Sequence, residues 1–117
     1  MRVVVALDCR DPESLARFWA PTLGYQVAGP MAGAYLALVP HTGDGPQLLL
    51  QRVPEEKAGK NRMHLDLRVS DLAAEVARVV ALGARRLTDE PLSEDGWTWH
   101  VLADPEGNEF CVLTPAG

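Results

Sequence analysis

Val5-Ala6-Leu7-Asp8-Cys9-Arg10 and Met63-His64-Leu65-Asp66-Leu67-Arg68 match in register at an offset of 58 residues. Each carries a Leu-Asp core with an arginine two positions on. Working outward, each is followed by a helix-like stretch that closes on Leu-Gly, at Leu23-Gly24 and at Leu82-Gly83, now at an offset of 59. One inserted residue therefore separates two copies of one module. A repeat that fills half of the chain dictates its architecture, because two similar modules are expected to share one core. The seam between them is where a cleft is expected.

In the first copy, residues 2–10 read as a strand. Asp11-Pro12 then supplies an N-cap followed by proline at the first helical position. Leu15, Phe18, Trp19 and Thr22-Leu23 recur at helical spacing, and Pro21 is expected to kink that helix or end it near residue 20. Strands follow near 25–29, 34–39 and 46–53, separated by Gly29-Pro30 and the stretch from Thr42 to Pro46. In the second copy a strand at 62–69 leads to a helix capped by Ser70, with Leu72, Val76, Val79 and Val80 on one face. Strands are expected near 85–89, 97–103 and 109–114. The fold class is therefore α+β: two tandem βαβββ modules whose curved mixed sheets surround a cleft, with helices on the outer faces. One domain, 1–117, is expected, with a first module at about 1–53, a linker at 54–61 and a second module at about 62–117.

Composition bounds the function. The chain has 117 residues, 47% hydrophobic, with a formal net charge of −5. That balance argues against nucleic acid, whose phosphates require a positive surface. The apolar start before Asp8 is too short for a signal segment, and nothing approaches membrane-spanning length. Two cysteines, Cys9 and Cys111, form no spaced framework and suit a reducing cytoplasm.

Strand alternation assigns the faces. Leu65, Leu67 and Val69 pack beneath the helix, and Arg62, His64, Asp66 and Arg68 point the other way. In the first copy Val5, Leu7 and Cys9 go under the helix, opposite Ala6, Asp8 and Arg10. The turn Asp104-Pro105-Glu106-Gly107-Asn108 should close a hairpin with Leu102 opposite Phe110. Trp97, Trp99 and Val101 then share a face with Glu109, Cys111 and Leu113, the expected cleft face. Trp97 and Trp99 either wall a ligand or cover a module or subunit interface. Asp8 and Asp66 are either a general-base pair or equivalent structural groups in two modules. Arg62 and Arg68 either hold an anionic group or pair with neighbouring acids.

Leu15-Ala16-Arg17-Phe18-Trp19 with Leu23-Gly24, Asn61 to Leu67, Leu82-Gly83-Ala84, and Asp104 to Val112 together resemble the vicinal oxygen chelate superfamily. This is the glyoxalase, bleomycin-resistance and dioxygenase group, and the likeness is to its small glyoxalase-like branch. The resemblance implies a U-shaped cleft completed by two modules or two chains, and activities ranging from isomerases, lyases and dioxygenases to metal-free drug-binding proteins. Fold alone does not choose among them. The metal-ligand positions it implies fall on Ala6, Gln51, His64 and Cys111. Ala6 has no donor atom, and Cys111 replaces the usual glutamate.

The leading expectation is thus a small-molecule-binding protein or metal-independent enzyme with no cofactor. His64 and Asp66 are its candidate catalytic pair, and Gln51, Arg62, Trp97, Trp99, Glu109 and Cys111 its candidate ligand contacts. The alternative is a metal-dependent isomerase, lyase or dioxygenase holding a divalent ion through Gln51, His64 and Cys111; a non-catalytic scaffold is a third. A homodimer is expected, since half-open sheets need covering and chains of this length in the superfamily commonly pair.

Overall fold

A computed structural model describes residues 1–32 and 34–116, the side chains of 29–32 excepted. Two compact units divide it, Met1–Lys57 and the residues from Ala58 onward.

The first unit runs β1 (Val4–Cys9), α1 (Pro12–Leu23), β2 (Tyr25–Ala32), β3 (Tyr35–Pro40) and β4 (Gln47–Arg52). Its sheet has the order β1-β4-β3-β2. The β1–β4 pair is parallel and the other pairs are antiparallel. A parallel pair needs a crossover, and α1 is part of it. The helix starts where the Asp11 carboxylate accepts the Ser14 N–H at 3.1 Å, with Pro12 in its first turn. It ends where Gly24, at φ 69°, donates its N–H to the Ala20 carbonyl. Leu15, Phe18, Trp19 and Thr22 form the buried face, and the Phe18 and Trp19 rings meet edge to face at 5.1 Å. Leu36, Leu38, Leu48 and Leu50 complete this core from the sheet.

Pro21 does not stop α1, which continues to Leu23. Pro21 lacks the N–H that would reach the Arg17 carbonyl, so a single helical bond is given up in the last turn. There the Thr22 hydroxyl donates to the Phe18 carbonyl at 2.6 Å. A proline in that place costs less than one mid-helix.

The second unit runs β5 (Asp66–Arg68), α2 (Leu72–Leu82), β6 (Arg85–Arg86), β7 (Leu92–Glu94), β8 (Trp97–Ala103) and β9 (Glu109–Pro115). The sheet order is β5-β9-β8-β6, with β7 also on β8. β5 and β9 are parallel, repeating the β1–β4 arrangement. Four departures from the sequence reading have physical causes. The cap of α2 is Asp71, whose carboxylate accepts the Ala74 N–H at 3.1 Å; Ser70 lies one residue outside. Val80 is 43% exposed, because the buried stripe runs through Val76 and Val79. The first strand is three residues long rather than eight, since only Asp66–Arg68 meet partners on β9. The single strand expected near 85–89 is two short ones. Between them the Thr88 hydroxyl, at 3.3 Å, takes the Val101 N–H that a ladder carbonyl would accept. β7 then turns into β8 through Asp95-Gly96, both at positive φ, a two-residue hairpin whose Asp-Gly chemistry is the sequence signal for it.

The β8–β9 hairpin has the expected register, with Leu102 opposite Phe110 and both buried. Its turn is wound around the Asp104 carboxylate. Oδ1 accepts the backbone N–H groups of Glu106 and Asn108, each at 2.9 Å, and the Asn108 amide also donates to both oxygens. Asp104 is 3% exposed, so these bonds replace the water it loses.

On the surface of α2, Arg78 donates through Nε and Nη2 to the two Glu75 oxygens, both at 2.8 Å. That bond holds the Glu75 carboxyl below its ordinary value. With the folded value depressed, the pair stabilises the protein above the unfolded glutamate value near 4.3, and this stability is lost as pH falls through the folded value. Glu75→Gln is expected to remove under about 1 kcal/mol at neutral pH. It should also flatten the acid limb of a urea-midpoint-versus-pH curve; an unchanged limb would show that the pair contributes nothing.

No described helix is long and apolar enough to cross a membrane.

Candidate functional site

The sheet of the second unit has one face against α2 and one face turned away. His100, Leu102, Phe110 and Val112 occupy the helix side and are buried. His100 is held there by the Thr88 hydroxyl, 2.8 Å from its Nδ1. The other face lines a cavity of about 450 Å³, within the size range of small-molecule sites.

Three layers build that cavity along the strands. At the β7–β8 turn stand Glu94, Asp95, Trp97 and Arg68. The Arg68 guanidinium lies 4.5 Å from the centre of the Trp97 ring, so one Trp97 face is already covered by a cation. Trp99 and Leu113, opposite each other in the ladder, make the apolar middle. At the far end Val101 pairs with Cys111, which in turn pairs with Asp66 on β5. His64, Lys60 and Glu109 close this end.

The polar groups at the far end are organised. His64 Nδ1 is 3.0 Å from Asp66 Oδ1, a pair that fixes the imidazole orientation. One donor atom from each of His64, Asp66 and Cys111 lies within 4.8 Å of the others. Burial, followed by the nearby Asp66 carboxylate, pushes the Cys111 thiol above its ordinary value, while Lys60 acts in the opposite sense. Cys111 therefore sits as a neutral thiol at physiological pH. Glu109 has a structural task as well: its Oε1 accepts the Asn61 N–H at 3.2 Å, and its own N–H donates to Asn61 Oδ1 at 3.1 Å. This reciprocal clamp ties residue 61 to the start of β9.

Of the residues singled out from sequence, His64, Asp66, Trp97, Trp99, Glu109 and Cys111 line this one cavity. Arg62 is exposed and stands outside its lining, because the chain bends at residues 62–63, ahead of His64. Gln51 belongs to the first unit, on β4, in register with Asp8 and Tyr35. Sequence reading passed over Lys60 as a solvated linker residue. It also passed over Glu94 and Asp95, which the Asp-Gly hairpin signal would have placed beside Trp97.

The model of the family described as glyoxalase-like domain matches residues 4–113. Among solved structures, the chain is similar to a glyoxalase/bleomycin resistance protein/dioxygenase family enzyme from Burkholderia phytofirmans PsJN. The two are 19% identical, with a TM-score of 0.79 and 96% of each chain covered. A glyoxalase family protein from Bacillus cereus superposes with a TM-score of 0.74 at 15% identity, covering all of this chain and 95% of that one. TioX from Micromonospora sp. ML1 gives 0.69 at 18% identity, with 98% of each chain covered. At such identities the likeness establishes the fold. No match is found among curated proteins.

Proposed function

This chain belongs to the glyoxalase-like domain family, and from that premise we propose that it is a small-molecule-binding protein or metal-independent enzyme acting on a small organic compound. The observation that carries this reading is the gathering of Trp97, Trp99, the His64–Asp66 pair and Cys111 on one cavity of about 450 Å³. An apolar floor with a few convergent polar groups is the usual build of a ligand site. Trp99 offers a flat face for an unsaturated ring or chain. Asp66 engages Nδ1 of His64, which leaves Nε2 as the nitrogen able to exchange a proton with the ligand. The test is a thermal-shift screen of small organic compounds against chelator-treated protein. A binder that raises the midpoint without added metal supports the reading; hits that all require a divalent ion would overturn it.

The metal-dependent alternative meets an obstacle in the residues themselves. The positions that carry ligands in the superfamily fall on Ala6, Gln51, His64 and Cys111. Ala6 offers a methyl group, and Cys111 is a thiol kept protonated by burial and by Asp66. That set does not fit the hard divalent ion of a typical Lewis-acid site.

The remaining parts of the proposal follow from the same features. The chain is read as one glyoxalase-like domain of two modules, cytoplasmic, with both cysteines buried, and without nucleic-acid or membrane partners. It is read as a homodimer, since Val4 and Tyr35 leave apolar surface exposed on the first sheet. Light scattering at micromolar concentration is expected to give about twice the 12.7 kDa of one chain. A mass of one chain, unchanged on tenfold concentration, would exclude it.

A further inference from the structure

We propose that Arg68, seated over the Trp97 ring, anchors the carboxylate of the ligand, so that the cavity takes a small aromatic or unsaturated monocarboxylic acid. This rests on the ligand reading above and deepens it by naming the chemical class of the occupant.

Strand register lays out the site. Arg68 on β5 is the Cα partner of Leu113 on β9, Leu113 that of Trp99 on β8, and Trp99 that of Leu92 on β7. One row of side chains thus crosses the face turned away from α2, with a cation at its β5 end and an apolar platform beside it. Neighbouring strands lie about 4.8 Å apart, which separates the Arg68 and Trp99 backbones by about 10 Å. A small ring with a carboxylate substituent bridges that span. The row of Asp66, Cys111 and Val101 runs alongside, two residues or about 6.6 Å along the strands. The His64–Asp66 pair therefore meets the same ligand at a second point.

The chemistry of Arg68 selects the anion. Its guanidinium lies 4.5 Å from the centre of the Trp97 ring. Among the described residues it makes no hydrogen bond or ion pair with an acid, although Glu94 and Asp95 line the same end of the cavity. Of the two roles open to Arg68 from the sequence, pairing with neighbouring acids is thus not the one the fold uses. A guanidinium against an indole face keeps its N–H groups at the rim of its plane, where they match a carboxylate in bidentate fashion. Neighbouring charges set the limit. The lining carries four carboxylates, of Asp66, Glu94, Asp95 and Glu109, against two cations, Lys60 and Arg68. That surplus opposes a second negative charge on the ligand, so a monocarboxylate is favoured over a phosphate ester or a dicarboxylate. An amine drawn to Glu94 and Asp95 would meet the Arg68 cation over the very ring it needs.

The test is calorimetric titration of the full-length, chelator-treated protein with probes that share one ring: 2-naphthoate, 2-naphthamide, 2-naphthylmethylamine and 2-naphthyl phosphate. The naphthoate is expected to bind at least about 10-fold tighter than each of the others, the margin that a bidentate charge-assisted pair supplies. In Arg68→Gln, at an exposed position outside the core, the preference for acid over amide should vanish while the amide affinity holds. Equal binding of acid and amide, tighter binding of the amine or the phosphate, or a preference that survives Arg68→Gln would overturn the proposal and leave the cavity as a ligand site. So would a thermal-shift screen whose hits are all neutral or cationic. A screen and titrations with no binder of any kind would overturn the underlying ligand reading as well, which keeps the two failures distinguishable.

Discussion

Replacing Phe110 with alanine is expected to cost about 3–5 kcal/mol of folding free energy, enough to leave the protein largely unfolded at moderate urea. Phe110 is 1% exposed and lies opposite Leu102, itself fully buried, in the β8–β9 ladder. Val79 of α2 and Val112 are also fully buried in this unit. A unit with so few large buried side chains has little capacity to collapse around the hole, and the cavity term adds to the lost transfer energy. The change lies on the helix side of the sheet, so it also tests the face assignment. A loss below about 1 kcal/mol in urea denaturation would mean that Phe110 is not a core residue, and the cleft-facing set would be misassigned with it.

Truncating Trp99 is expected to have the largest effect on function. For any compound found by thermal shift, Trp99→Ala should weaken binding at least about 10-fold, the loss of a buried aromatic contact worth roughly 1.4–3 kcal/mol. Trp97→Ala should cost less, because Arg68 already covers one face of that ring. The reverse order would show that the ligand displaces Arg68 and that the middle of the cavity is not the anchor. Titration calorimetry on the two variants decides between them.

What could be read from the sequence followed the strength of the local signal. The repeated Leu-Asp strands and Leu-Gly helix ends are strong periodic marks, and the tandem modules agree with them, as the β8–β9 register agrees with the Asp-Pro-Glu-Gly-Asn turn. The parallel pairings were not legible in the sequence. Strand alternation worked wherever a ladder exists: Asp66, Arg68, Trp97, Trp99 and Cys111 fall on the cleft side as expected. It does not reach Arg62, where the chain bends at residues 62–63 ahead of the strand. Caps one residue apart were not distinguishable at Ser70-Asp71, both being good capping types. Pro21 misled because its cost depends on which turn it occupies, and turn count is a boundary property that sequence reads poorly. The Asn61–Glu109 clamp joins residues 48 apart through side chains, and no local pattern announces such a bond. The closeness of Asp66 to Cys111 is likewise a product of strand register, which no local pattern announces.

We propose the helix-free face of the second unit's sheet as the ligand site. Amide and indole NMR spectra of isotopically labelled protein, recorded with a compound from the thermal-shift screen, test it most directly. Saturable shifts are expected at the indole N–H of Trp97 and Trp99 and at the backbone of Asp66, Cys111 and Leu113, with α2 largely silent. Shifts confined to the first unit, with the Trp99 indole unmoved at saturation, would contradict it.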